Sequence, residues 1–207
     1  MKKEQLVILK DRGIISVSGE DATDFLQNIL SNNVNNVNEN KSIYSAIFTP
    51  QGKYLYEFFV IKSNDGFLLD CDEEFTQEII KHLARYKLRS KVKIKNLSEK
   101  YVVGIINLEK FNEILAGEKN NRKSILYRES ALFIDPRKKQ LGARLLSTLE
   151  KIHLTIKKLN LKLTDSKYYL EKAYTFGIPT KGTRYLQNQL FGLEANLEEH
   201  NAIDFKK

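Results

Sequence analysis

A single carboxylate within an aromatic run is the residue of this sequence best placed to do chemistry. Glu57 lies in YLYEFFVI (54–61), and strand alternation places it on one face with Leu55 and Phe59. A carboxylate on an apolar face is costly to bury. It should therefore be paired with a cation, be protonated, or face a water-filled cavity that binds a ligand. A half-buried face on which Glu57 pairs with a nearby lysine is the alternative.

The strand that carries Glu57 is predicted to be the second arm of a β-hairpin over residues 43–61. Pro50 fixes φ at the second position of the turn, and Gly52 suits the fourth. In the second arm, alternation predicts that four side chains lie opposite Glu57: Tyr54, Tyr56, Phe58 and Val60.

Apolar periodicity predicts the elements around this hairpin. The expected helices cover residues 21–30, 74–86, 108–117 with a stop at Gly117, and 165–176, and residues 149–159 are ambiguous. The expected strands, besides the hairpin, cover residues 14–17, 67–71, 91–97, 101–107, 124–127, 131–136 and 141–146. This order predicts an α+β fold of two antiparallel-sheet subdomains with flanking helices, residues 1–97 with the aromatic hairpin and residues 98–207 with a C-terminal helix and tail.

Composition limits the function classes. The chain of 207 residues carries a net charge of +8, one cysteine (Cys71) and three scattered histidines, so we expect neither a disulfide framework nor a Cys/His metal site. No apolar run approaches the roughly 20 residues of a membrane span, and Glu4 and Lys10 interrupt any signal-peptide core. We therefore expect a cytoplasmic protein that does not bind membranes.

The densest basic run covers residues 81–95, with seven lysines and arginines and no acid. Such a run is typical of a solvated helix end and strand edge, and an anion-binding surface such as a tRNA-binding module is the alternative. Compact catalytic signatures for phosphate binding, dinucleotide binding, nucleophilic serine or zinc peptidase chemistry are absent from the sequence.

Several strings follow one another along the chain: VSGEDATDFLQNILSNNV (17–34), TPQGKYLYEFFV (49–60), RYKLRSKV (85–92), DPR (135–137) with LGAR (141–144), GIP (177–179) and LEANLEEHNAIDFKK (193–207). In this order they resemble strings of the folate-binding YgfZ-type proteins, which include mitochondrial iron–sulfur assembly relatives. They resemble more distantly those of the aminomethyltransferase (T-protein) of glycine cleavage. The last string leads into the family signature K-G-C-Y-x-G-Q-E, and the chain stops at Lys207 just before its cysteine.

The resemblance implies a T-protein-like fold without the C-terminal β-barrel, and a tetrahydrofolate-binding protein that acts in assembly or repair of iron–sulfur clusters. Its implied partners are folate and iron–sulfur client proteins. Nucleic acid is not expected, and the surface left by the missing barrel predicts self-association. The expected folate-binding residues, none of them catalytic and none a metal ligand, are Tyr56, Glu57, Asn33, Arg89 and Arg144. A basic residue such as Arg89 or Arg144 would attract the glutamate tail.

The chain departs from the family pattern near the implied cavity. Ala173 stands where the family has an arginine, and Thr180 where it has an acid. The T-protein places an Asp-Asp pair where this chain has Tyr56 and Glu57, so the resemblance favours the non-catalytic assembly branch. Because Glu57 is expected to point away from the pterin, we expect no aminomethyl transfer, and a transferase that uses Glu57 is the alternative.

Overall fold

The computed structural model describes residues 1–116, 122–180 and 182–207, so the helix stop expected at Gly117 lies outside the described residues. The strands are β1 Gln5–Leu9, β2 Arg12–Ser18, β3 Ile43–Phe48, β4 Tyr54–Ser63, β5 Gly66–Asp72, β6 Lys93–Asn96, β7 Val102–Ile106, β8 Ser124–Tyr127, β9 Ser130–Ile134, β10 Ala143–Ser147 and β11 Lys162–Thr164. The helices are α1 Ala22–Ile29, α2 Thr76–Lys87, α3 Leu108–Leu115, α4 Leu149–Lys158 and α5 Lys167–Thr175.

These strands form two sheets. One is a five-stranded antiparallel sheet in the order β3-β4-β5-β2-β6, and the other a six-stranded sheet in the order β11-β1-β7-β10-β9-β8, in which β1 and β11 pair in parallel. This arrangement of two sheets with flanking helices confirms the predicted α+β class.

Strand β1 is not anticipated by the sequence patterns above. It pairs with β7 and β11, which come from the second half of the chain, and the turn at Lys10 and Asp11 then carries the chain into the other sheet. The division into subdomains at residue 97 stays a prediction.

Three apolar clusters explain why the elements stack in this order. Helices α1 and α2 cover the outer face of the five-stranded sheet, and α3 and α4 cover the outer face of the six-stranded sheet. The third cluster lies between the sheets, where Phe59 of β4 and Phe133 of β9 have ring centroids 6.0 Å apart. Each sheet therefore buries both faces, as in a four-layer packing.

A β-bulge corrects one prediction for the hairpin. Ile47 pairs with Tyr56 while the next residue, Phe48, pairs with Tyr54, so Leu55 is an extra residue in β4. A bulge moves the following side chains to the other face. Tyr54 accordingly packs between the sheets, and the expectation that it shares a face with Tyr56 is wrong.

Among the described residues after α5, Thr183–Leu186 form a 3₁₀ turn. Farther along, Leu197 and Ala202 join the cluster between the sheets. Among the described residues, no helix combines the length and apolar character that crossing a membrane requires.

Candidate functional site

A cavity of about 480 Å³ opens between the two sheets. This volume lies in the usual range for small-molecule sites, roughly 300–1,000 Å³. Its walls come from the β1–β2 turn, strands β3 and β4, the start and inner face of α5, and the residues Pro179, Thr180 and Thr183. Charged and aromatic side chains face each other there, which is an arrangement suited to a polar, flat ligand.

Glu57 of β4 lines this cavity and is half-buried. Burial raises the pKa of Glu57 to about 7, and neither the hydrogen bond from Tyr44 nor the positive charge of Arg137 offsets that effect. The carboxyl group therefore exchanges a proton near neutral pH, and it can either accept or donate a hydrogen bond to a ligand.

Asp70 joins two of the three arginines that line the cavity. Its Oδ2 accepts hydrogen bonds from Nη2 and Nε of Arg144 at 2.7 and 3.1 Å, and its Oδ1 accepts one from Nε of Arg12 at 2.6 Å. Burial opposes the charge of Asp70, but the two guanidiniums hold the pKa of this carboxyl below its ordinary value. Since Asp70 belongs to β5 and Arg144 to β10, this ion pair connects the two sheets.

The third arginine, Arg137, is held by Asp135, whose carboxylate oxygens accept from Nε and Nη2 at 3.0 and 2.8 Å. Nη2 of Arg137 also donates to the hydroxyl of Tyr169 at 3.0 Å, and Nη1 of Arg144 donates to the same oxygen at 3.1 Å. Both guanidiniums lie over the ring of Phe59, 4.7 and 4.0 Å from its centroid. Cation–π contacts and hydrogen bonds together fix the two arginines in the wall.

The structure brings together two of the five predicted site residues, because Glu57 and Arg144 both line the cavity. Tyr56 lies on the opposite face of β4, where its ring packs on Phe75 of the outer layer with centroids 5.8 Å apart. Asn33 caps the 3₁₀ turn Val34–Asn36 by accepting from the backbone N–H of Asn35. Arg89 lies on the exposed surface after α2.

The expected directions are thus reversed with respect to this cavity, because Glu57 lines it and Tyr56 does not. The folate-binding roles of the two residues stay predictions. Strand alternation separated the two side chains correctly, but it could not tell which face meets the cavity, since both faces of this sheet are buried. The argument against aminomethyl transfer that rested on the direction of Glu57 falls with it.

Sequence reasoning missed four residues of the wall, namely Arg12, Tyr44, Arg137 and Tyr169. It also missed Asp70, which lies behind the wall and holds two of its arginines. A signal was available for one of them. Asp70 lies in the apolar run GFLLDC, and it raises the same question as Glu57 about how its charge is paired.

Other candidate groups lie away from the cavity. Cys71 is buried, and burial raises the pKa of its thiol to about 12. Among the described residues, no group of three His, Cys, Asp or Glu side chains is arranged to hold a metal ion. The basic run 81–95 covers the end of α2 and the edge strand β6, and six of its seven cationic side chains are exposed.

Comparison with known proteins shows which sequences and folds this chain resembles. Residues 9–108 match the family model of the GCVT N-terminal domain. The fold is similar to that of the glycine cleavage system aminomethyltransferase T from Bartonella henselae, with a TM-score of 0.61, 14% identity, and 78% of this chain and 47% of that chain covered. A chain of the heterotetrameric sarcosine oxidase from Corynebacterium sp. U-96 aligns with a TM-score of 0.51, 12% identity, and coverage of 77% and 84%. The fold is thus similar to that of the T-protein.

Curated relatives provide a second comparison, by sequence. The iron-sulfur cluster assembly factor IBA57 homolog, mitochondrial, of Pyricularia oryzae is 29% identical over 96% of this chain and 49% of its own length, and that of Dictyostelium discoideum 26% identical over 99% and 56%. The tRNA-modifying protein YgfZ of Buchnera aphidicola is 28% identical over 100% of this chain and 66% of its own. The chain is thus similar over nearly its whole length to YgfZ-type proteins. It spans about half the length of the first relatives it matches.

These relatives also correct one expectation. The assembly factors of Pyricularia oryzae, Neurospora crassa, Dictyostelium discoideum and Mycosarcoma maydis are all named as mitochondrial. This finding overturns the assignment of the chain to the cytoplasm, which rested on the composition of its first residues.

Proposed function

We propose that this chain acts in the assembly or repair of iron–sulfur clusters and that it does so with a tetrahydrofolate bound in the cavity between its sheets. The names of the relatives support the first part of the proposal. One structural observation carries the second part, namely that a carboxyl group with a pKa of about 7, Glu57, faces a cavity walled by aromatic rings and arginines.

The residues of the wall fit this ligand. The pyrimidine edge of a pterin presents two adjacent N–H donors, and a carboxylate such as that of Glu57 can accept both. Thr180 also lines the cavity, and its buried Oγ1 has no hydrogen-bond partner among the described residues. A buried polar atom without a partner is unfavourable, so a polar ligand at this wall would lower the free energy of the folded state.

The glutamate tail requires a different cation from those inferred from sequence. Arg144 is 1% exposed and its donors are engaged by Asp70 and Tyr169, and Arg89 lies away from the cavity. Lys10 is exposed at the rim of the cavity, so we assign the attraction of the tail to Lys10.

Calorimetric titration with tetrahydrofolate tests the ligand. Wild-type protein should bind one equivalent, and Glu57→Gln should weaken binding about tenfold, because the amide can accept at only one of the two positions. Glu39→Gln, the same exchange at an exposed loop position, should bind like wild type. Absence of saturable binding to the wild type would remove the folate part of the proposal.

The cellular part has its own test. In cells from which the gene is deleted, the specific activity of an enzyme that depends on a [4Fe–4S] cluster should fall, and the wild-type gene should restore it. The Glu57→Gln gene should restore it incompletely. Full restoration by this variant would show that the assembly role does not depend on Glu57 in the cavity.

The position of Glu57 also favours a second candidate, a folate-dependent aminomethyltransferase in which this carboxyl group moves the proton. Release of product from an aminomethyl-loaded carrier protein, abolished by Glu57→Gln, would support this candidate. A wild-type protein that binds tetrahydrofolate without turnover would support the assembly role.

Self-association and binding of iron–sulfur client proteins complete the proposal. Four large apolar side chains are exposed on the segment after α5, namely Tyr185, Phe191, Leu193 and Phe205. A contiguous group of exposed apolar side chains is typical of contact surfaces, and we propose that these four form such a group. Light scattering over a range of concentrations should show a dimer that Phe205→Ser weakens, whereas a monomer at all concentrations would contradict self-association.

A further inference from the structure

The hydroxyl group of Tyr169 has an unusual hydrogen-bond environment. Tyr169 lies on α5, is 4% exposed and lines the cavity. Its oxygen accepts two hydrogen bonds, from Nη2 of Arg137 and from Nη1 of Arg144. Among the described residues, no side chain or backbone carbonyl accepts a hydrogen bond from this hydroxyl.

The hydrogen-bonding capacity of a phenol shows which group of Tyr169 the two arginines leave without a partner. A tyrosine hydroxyl can accept through its lone pairs and can donate one hydrogen. A guanidinium can only donate, so the two arginines occupy the acceptor side of Tyr169 and cannot take its proton. The O–H of Tyr169 therefore needs an acceptor, and the cavity is the space in which a ligand can supply one.

We infer that Tyr169 is a ligand-binding residue whose hydroxyl donates a hydrogen bond to a carbonyl oxygen of the cavity ligand. This inference rests on the proposed folate site. In a pterin, the C4 carbonyl stands next to the N–H donors that we assign to Glu57. Tyr169 and Glu57 then recognise opposite halves of one lactam edge, and the site prefers an oxo group over an amino group at that position.

The preference has a simple physical origin. A 4-amino group would present N–H bonds to a hydroxyl that the arginines already orient as a donor, and two donors that face each other leave both unpaired. The arginines cannot rotate to relieve the conflict, because Asp70 and Asp135 hold them. This is how Tyr169 differs from an exposed tyrosine, whose hydroxyl turns freely.

The experiment compares two ligands and two variants by calorimetry. The ligands are tetrahydrofolate and tetrahydroaminopterin, which carry an oxo and an amino group at C4. Wild-type protein should bind the oxo ligand about tenfold more tightly than Tyr169→Phe does, and the variant should bind the amino ligand no more weakly than wild type does. Tyr168→Phe makes the same exchange at a neighbouring exposed position and should leave the ratio of the two affinities unchanged.

The outcomes are distinguishable from those of the proposed function. If wild type binds neither ligand, the folate site fails and the inference fails with it. If wild type binds tetrahydrofolate but Tyr169→Phe weakens both ligands equally or neither, the folate site stands and the role of Tyr169 is wrong. Should Tyr169→Phe not fold, the infrared C4 carbonyl stretch of carbon-13-labelled tetrahydrofolate on wild type decides: a shift to lower frequency supports donation, and an unshifted band overturns it.

Discussion

Replacement of Glu57 by glutamine should remove a specific pH dependence of stability. The folded protein binds the proton of Glu57 more tightly than the unfolded chain does, because burial raises its pKa from the ordinary 4.5 to about 7. With the folded pKa raised for an acid, the group destabilises the fold as pH rises through this window. The contribution of Glu57 is therefore most favourable below pH 4.5 and is lost above pH 7.

The magnitude follows from the two pKa values. Their difference corresponds to about 3 kcal/mol, which ionised Glu57 costs the folded state at pH 8, while at pH 5 the cost is below about 1 kcal/mol. Glutamine has a similar shape and carries no charge at either pH. Glu57→Gln should thus be more stable than wild type by about 2–3 kcal/mol at pH 8, with a much smaller difference at pH 5.

Urea unfolding at pH 5, 6.5 and 8 measures this difference, since the free energy of unfolding extrapolates linearly to zero denaturant. Glu39→Gln, at an exposed loop position, controls for the removal of a negative charge from a basic protein. Parallel pH profiles for wild type and Glu57→Gln would refute the reasoning, because they would mean that Glu57 titrates in the folded state as it does in water.

Three further predictions concern the fold that holds the site. Asp70→Asn should lower the free energy of unfolding by about 3–5 kcal/mol, since it takes the paired carboxylate from the buried guanidinium of Arg144 and leaves the partly buried Arg12 with Asp72 alone. A loss below about 1 kcal/mol in urea unfolding would contradict this. Gly66→Ala should lower the urea midpoint clearly, because Gly66 has φ +152° and an added Cβ would lie 2.3 Å from the carbonyl oxygen of Val17; an unchanged midpoint would show that the turn adapts. Phe111→Ala should lower the free energy of unfolding by about 3–5 kcal/mol, because the substitution leaves a cavity under α3. An unchanged melting temperature in calorimetry would contradict this.

The sequence predicts the elements of this fold better than their placement. Periodicity located α1, α2 and α5 to within two residues at each end, because one face of each helix is apolar and the other is not. It did not anticipate β1, whose parallel partner β11 follows more than 150 residues later. Pairing between distant segments depends on the whole core and leaves little trace in a local pattern.

The candidate site shows the same limit at the level of single residues. Glu57 was identified because a carboxylate in an apolar strand demands an explanation, and the cavity provides it. Tyr56 was placed on the wrong side because both faces of this sheet are buried and apolar, so the sequence pattern does not show which face meets the cavity. Tyr54 was misplaced because a bulge at Leu55 reverses the alternation. Tyr169 gives no signal in sequence, since its role comes from two arginines brought to it by the fold.

A crystal structure of the protein with bound tetrahydrofolate would test the central claim most directly. We expect the pterin ring between the two sheets, with the carboxyl group of Glu57 within hydrogen-bond distance of its pyrimidine N–H groups. Ligand density elsewhere on the surface, or an inter-sheet cavity that stays free of folate at saturating concentration, would contradict the account.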